Sequence, residues 1–342
     1  VLPRSRRRST ALTIAVALAV ATAACGGGSS SDNNTLTLYS GRAEVQIQPV
    51  IDEFTKETGI EVKVRYGATP ELAAQISEEG SNSPADMFFA QDAGGLGAVD
   101  DRGLFAPVPA EVLAEVDPRY RADDGAWVGV TGRVRVIVAN SRNVPDAEVP
   151  TNVFALTEPR WKGKVGIAPT NGSFESFVTA MRVQAGEERT RKFLDDLKAN
   201  DVKSYNDNAL ILKAVNDGEI DLGLINHYYW YQLASEIGED KMLARNHFTL
   251  NGDPGALVNV AGVGILKTAD HKEAANRFVS FLLGETAQKF FAEKNFEFPL
   301  AAGVKPLPSL PDLSAVQSPD IDLSDLSHLD ETLAMLREAG LL

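Results

Sequence analysis

The stretch Trp127-Val128-Gly129-Val130-Thr131-Gly132-Arg133-Val134-Arg135-Val136-Ile137-Val138-Ala139-Asn140 decides the fold. Its second half is dense in β-branched residues, which fit a pleated strand. A strand of this length can carry the chain out of one domain and into another. A second long run, Gly255-Ala256-Leu257-Val258-Asn259-Val260-Ala261-Gly262-Val263-Gly264-Ile265-Leu266, suits the return crossing. Strands and helices alternate around both. Before the first crossing, residues 35–39 read as a strand, 45–58 as a helix stopped by Gly59, and 60–66 as a strand of alternating polarity. Thr69-Pro70 opens another helix that Gly80 closes, and residues 86–90 form a third strand. Between the crossings, residues 164–168 and 220–225 read as strands, and 174–184, 188–200 and 209–216 as helices. Helices over 271–283 and 285–294 follow the return. A tail rich in Pro, Leu and Asp then leads to a last helix near 329–339. The order predicts an α/β protein of two lobes, each a mixed, mostly parallel sheet flanked by helices. The expected lobes are residues 36–133 with 259–309, and 134–258 with 310–342, joined by two hinge strands.

Arg4, Arg6, Arg7 and Arg8 precede an apolar run over residues 11–24. That run is short of the roughly 20 apolar residues a bilayer span needs, and it matches an export signal. Its end, Thr22-Ala23-Ala24-Cys25, resembles a lipoprotein cleavage site. A signal peptide over 1–24, a lipid on Cys25 and a flexible Gly/Ser tether over 25–35 are expected. Cys25 is the only cysteine, so no disulfide can form within the chain. Without the four arginines of that segment, 29 basic residues face 47 acidic ones, a net charge of -18. An acidic exported chain excludes nucleic acid as a partner, which needs a basic footprint. Two lobes, export and a membrane tether together describe a monomeric, extracytoplasmic solute-binding protein for an importer, closing on its ligand about a hinge.

The ligand is read from Asn226-His227-Tyr228-Tyr229-Trp230-Tyr231. Adjacent tyrosines point to opposite faces of a strand, but they can converge where a strand gives way to a helix. Asn226 is expected to cap that helix, with Tyr228 and Tyr229 in its first turn. A phenol titrates near pH ~10, so only a strong Lewis acid ionises it at neutral pH, and ferric iron fits that demand. Four helix starts offer backbone N–H groups to an anion: Ser40-Gly41-Arg42, Thr170-Asn171-Gly172-Ser173, Asn206-Asp207-Asn208, and Asn226. Arg42 and Arg133 are candidates for a charge-assisted hold on that anion. His227 is expected in an outer shell or in solvent. Gly94-Gly95-Leu96-Gly97 has the wrong spacing for a dinucleotide loop. No nucleophile elbow, zinc-protease or phosphate-loop motif occurs, and no enzymatic activity is expected.

Several segments, in order and at matching intervals, resemble the ferric-iron-binding proteins of bacterial ABC importers. They are Tyr39-Ser40-Gly41, the stretch 54–59, Ser83-Pro84-Ala85-Asp86, Gly132-Arg133-Val134-Arg135-Val136, Trp161-Lys162-Gly163-Lys164, the tyrosine segment, and Asp253-Pro254-Gly255-Ala256-Leu257-Val258. The resemblance implies a two-lobed periplasmic-binding-protein fold of the type II class. It implies Fe3+ held by Tyr228 and Tyr229, and a permease of an ABC importer as partner. It also implies a synergistic anion, carbonate or phosphate, at Asn171, Gly172, Ser173, Asn208 and Asn226. Two departures stand out. Ala43 and Gln91 replace a histidine and a glutamate that ligate iron in many members; separately, where another branch of the family has a third tyrosine, this chain has Phe174. Tyr39, Glu44 and Gln91 are therefore the candidates for a further protein ligand, Tyr39 first because it ends the first strand at the cleft edge. The alternative keeps the fold and takes an oxyanion or small organic ligand such as a phosphonate, sulfate, thiamine or a polyamine.

Overall fold

A computed structural model describes residues 34–342. The expected signal segment, Cys25 and nearly all of the tether lie outside the described residues. From the N-terminal side, β1 (Thr35–Ser40), α1 (Glu44–Thr58), β2 (Glu61–Tyr66), α2 (Thr69–Glu79) and β3 (Met87–Ala90) follow the expected alternation. Gly59 ends α1 in the left-handed region (φ 72°), a conformation that side chains with a Cβ resist. Next come α3 (Ala93–Asp100), β4 (Phe105–Ala106), α4 (Ala110–Leu113) and the crossing strand β5 (Trp127–Asn140). The sequence reading did not foresee α3, because Gly94, Gly95 and Gly97 lower helix propensity by about 1 kcal/mol each relative to alanine.

Every residue of β5 is buried, and the strand serves two sheets. Residues up to Val134 pair with β10 (Val258–Leu266), whereas Arg135 to Ala139 pair with β8 (Leu222–Asn226). Both partners run antiparallel to it. On one side of the crossing, β1 lies parallel between β2 and β3, and β10 joins that set through β3. On the other, β6 (Val165–Ile167) lies parallel to β8 and to β7 (Lys203–Ser204). The helices of this second lobe are α5 (Gly172–Ala185), α6 (Glu187–Ala199), α7 (Asn208–Asp217) and α8 (Tyr228–Ile237). Strand β9 (Ala244–His247) adds to β5. After β10 come α9 (Lys272–Leu283), α10 (Glu285–Lys294), β11 (Phe298–Pro299), which pairs with β5, and α11 (Leu329–Glu338). The architecture is the expected two-lobed α/β fold, with parallel strands at the outside of each sheet and antiparallel crossing strands in the middle.

The first lobe buries Leu36, Phe54, Phe88, Phe89, Trp127 and Phe278 in one core, with the Phe54 and Phe278 rings edge to face at 4.9 Å. Truncating a fully buried phenylalanine such as Phe54 to alanine costs about 3–5 kcal/mol. The second lobe packs Phe174, Phe177, Phe193 and Leu224 on one side of its sheet, and Val136, Ile211, Val215 and Ile225 on the other. The tail departs from the expected lobe assignment. Leu310, Val316, Leu323 and Leu326 pack into the first-lobe core, and only Met335, Leu336 and Leu341 join the second. The glycines of α3 explain how the tail lies so close: a Cβ on Gly94 would stand 2.7 Å from the Leu326 carbonyl oxygen, and one on Gly97 2.8 Å from that of Ser324. Among the described residues no helix is long and apolar enough to cross a membrane.

Candidate metal centre

Strand β8 ends at Asn226, and α8 begins two residues later. Asn226 does not cap the helix as expected. His227, already in helical conformation, occupies the cap position without a side-chain capping bond. Its imidazole is wholly buried and joins β5 to the segment between α10 and β11. Nδ1 accepts from the Val134 N–H at 3.1 Å, so Nε2 carries the proton and donates to the Phe296 carbonyl at 2.8 Å. Burial pushes this histidine down to about 4, against the opposing pull of the Phe296 bond. His227 is a buried structural anchor against the Tyr228 ring, not a solvent group. Trp230 donates to the Ala244 carbonyl (2.7 Å), and the Tyr231 hydroxyl to that of Ser309 (3.0 Å). Residues 227, 230 and 231 thus pin the first turn from three directions. Tyr228 and Tyr229, left between them, stack with ring centroids 4.4 Å apart and planes 27° from parallel.

Both tyrosines line a cleft of about 440 Å³ together with Gln91, Asp92, Arg133, Asn171, Gly172, Ser173, Glu175 and Asn226. Burial, the neighbouring Tyr229 phenol and the Glu297 carboxylate hold Tyr228 well above the ordinary tyrosine range, and Arg133 only partly opposes them. Tyr228 is therefore a neutral phenol at neutral pH. Among the described residues no group of three or more His, Cys, Asp or Glu side chains is arranged to hold a metal.

The anion candidates form a hydrogen-bonded platform at the start of α5. The Asn171 side-chain oxygen accepts from the Ser173 N–H (3.1 Å), the Ser173 hydroxyl (2.6 Å) and the Asn208 amide (3.1 Å). Asn208 lies behind this wall and is buried. It is the first residue of α7, whose cap is Asp207, donating no side-chain bond but accepting one from the Leu210 N–H.

Three first-lobe candidates do not reach the cleft. Arg42 is buried and spends its guanidinium on Glu297 (2.9 and 2.7 Å) and on the Gln91 side-chain oxygen (2.9 Å), so it cannot hold an anion there. The Tyr39 hydroxyl donates to Glu79 at 3.1 Å and accepts from Gln75, while Arg65 lies over its ring; the strand end turns this phenol away from the tyrosine pair. Glu44 is an exposed first-turn residue of α1 and lines no part of the cleft. Gln91 does line it, but its side-chain oxygen is engaged by Arg42. Arg133 lines it too, donating to the Gln91 carbonyl.

The sequence reading missed Arg135, Asp92 and the tail residues Leu329 and Leu333. Arg135 carried a usable signal: it is two residues from Arg133 on one strand, and alternate residues share a face. It donates to the Ser173 hydroxyl at 3.0 Å and the Leu224 carbonyl at 3.1 Å. Asp92 caps the unforeseen α3 through the Gly95 N–H at 3.0 Å. Leu329 and Leu333 of α11 close one side of the cleft, and nothing in the tail's composition marked them.

A family model for bacterial extracellular solute-binding proteins matches residues 82–324. The chain is 34% identical over 308 residues to the Fe(3+)-binding periplasmic protein of Serratia marcescens, covering 90% of each. It is 37% identical over 317 residues to iron uptake protein A1 of Synechocystis, covering 89% of this chain and 87% of that one. Iron-bound HitA from Pseudomonas aeruginosa superposes with a TM-score of 0.84 at 37% identity, over 90% of this chain and 99% of the other. With a stacked tyrosine pair facing a cleft between two α/β lobes, and likeness of this extent along most of its length, the chain belongs to the ferric-iron-binding family of bacterial extracellular solute-binding proteins.

Proposed function

We propose that this protein captures Fe3+ outside the cytoplasm and delivers it to the permease of an ABC importer, with the lipid on Cys25 as its membrane tether. The stacked pair Tyr228 and Tyr229 carries the reading. Each phenol gives up its proton to become an anionic oxygen ligand, so affinity rises with pH. The protein offers few other donors, since Tyr39 is turned away, Phe174 has none and the Gln91 oxygen is engaged. The remaining positions on the ion fall to an oxyanion, carbonate or phosphate, with water. Gly172 presents a helix-start N–H to that anion, and among the described residues no protein group engages the side-chain NH2 of Asn171 or Asn226. The lobes close by rotation about β5 and β10, bringing Arg133 and Asp92 toward the occupied tyrosines. The likeness to the Fe(3+)-binding periplasmic protein and to iron-bound HitA supports the cargo. No covalent step is involved, and the family's members are binding proteins of transport, not enzymes.

The test is a visible titration of the iron-free protein with ferric citrate in bicarbonate buffer. Tyrosinate-to-iron charge transfer is expected to colour the wild type orange to red, and Tyr228→Phe to lose most of that band. A colourless protein that retains no iron overturns the proposal. An oxyanion or small organic solute would then be the ligand, and Tyr228→Phe would leave its affinity unchanged.

A further inference from the structure

Three arginines stand at the back of the cleft, and their partners differ. Arg42 forms a two-pronged ion pair with Glu297. Arg133 feels both Glu297 and Asp92. Arg135 is equally buried, yet no carboxylate among the described residues pairs with it. Its Nη atoms donate to the Ser173 hydroxyl and the Leu224 carbonyl, its Nε is buried without a partner, and its charge rests 5.5 and 5.4 Å from the Phe174 and Phe177 rings. Ring faces soften a buried guanidinium, but they do not neutralise it, and a buried cation lacking an anion is costly.

The hydrogen-bond directions around Arg135 leave no ambiguity. A guanidinium only donates, so the Ser173 hydroxyl accepts from Arg135 and must pass its own proton to the Asn171 oxygen. The Ser173 N–H fixes that same oxygen inward. The Asn171 NH2 is then turned to the opposite side, in a residue that lines the cleft.

We infer that Arg135 is the positioning residue of the anion seat, supplying its counter-charge from behind and, through Ser173, setting Asn171 to donate. This rests on the anion-assisted reading above, and it adds a residue that acts from behind the seat. The seat takes an oxyanion bearing full negative charge and several acceptor oxygens, and it discriminates against neutral solutes.

The experiment titrates inorganic phosphate into iron-free protein by calorimetry, so the tyrosine–iron reading is not needed for a result. Arg135→Met is expected to weaken phosphate binding by about 10- to 100-fold, the range typical of residues that orient binding groups from behind. Arg135→Lys, which keeps the charge, should recover part of the loss. Ser173→Ala, which cuts the relay and leaves Arg135 in place, should lose about 10-fold and guards against misfolding of the arginine variants. The titration is run without iron, so a failure of the iron proposal leaves this one standing. Arg135→Met binding phosphate within twofold of wild type overturns the inference. So does Arg135→Lys falling as far as Arg135→Met, or unchanged affinity in Ser173→Ala.

Discussion

The two walls of the cleft use the same residue types to opposite ends. On the first-lobe wall, Arg42 and Tyr39 are consumed by Glu297 and Glu79. On the second-lobe wall, Tyr228 and Tyr229 face the opening because His227, Trp230 and Tyr231 do the anchoring. A polar side chain at a cleft edge is therefore no ligand until its hydrogen bonds have been counted. On the proposed reading, one lobe carries the cargo site, and the other covers it with polar groups already engaged by their own lobe.

The contrast breaks if the lid's polar groups prove to be ligands. Arg42→Met leaves Glu297 buried without its ion pair, and should cost about 3–5 kcal/mol of stability in urea unfolding. Pairing it with Glu297→Leu should recover much of that. At saturating iron the charge-transfer band of Arg42→Met should persist; a folded variant without colour would move Arg42 into the site. Next in size is a pH effect in the iron-free protein. Burial holds His227 at about 4 when folded, below its ordinary value near 6.5. Its stabilising contribution is whole above pH ~6.5 and is lost as pH falls toward 4, because the unfolded chain takes up the proton first. The loss is on the order of 3 kcal/mol, read from unfolding curves across that window, and His227→Gln should flatten the dependence.

The comparison sharpens with the tyrosines. Tyr228→Phe should weaken ferric binding by about 100-fold or more, beyond what outer groups contribute, measured by competition with citrate. Tyr39→Phe should leave iron affinity within about twofold, while the lost Glu79 bond costs about 1 kcal/mol of stability. If Tyr39→Phe matched Tyr228→Phe in competition, the first-lobe wall would be a ligand wall after all.

Much of the fold was legible because it is written in local pattern. The alternating strand ending at Tyr66, the glycine stop after α1 and the two long crossing runs each depend on near neighbours in sequence. The tyrosine pair was legible for the same reason, since a strand-to-helix junction is a local event. Arg42 and His227 misled because their fate depends on remote partners: Arg42 meets Glu297 and His227 meets Phe296, across distances in sequence that no spacing rule reaches. The tail was divided wrongly because its short apolar residues are shared between two cores, and only the close approach at Gly94 and Gly97 reveals which lobe each part joins.

The placement of β10 also bears on how the chain matures. It lies between β3 and β5, and Phe89 cannot meet Val263 until nearly the whole second lobe has been made. Long-range strand pairing of this kind is slow, since loop closure precedes its reward. The sheet of the second lobe needs β5, β6 and β8, which are made before β10, while α11 and the Phe296 and Ser309 carbonyls that anchor α8 arrive late. As the polypeptide emerges from its N-terminus, the second-lobe sheet can take shape while the first lobe still waits for its central strand.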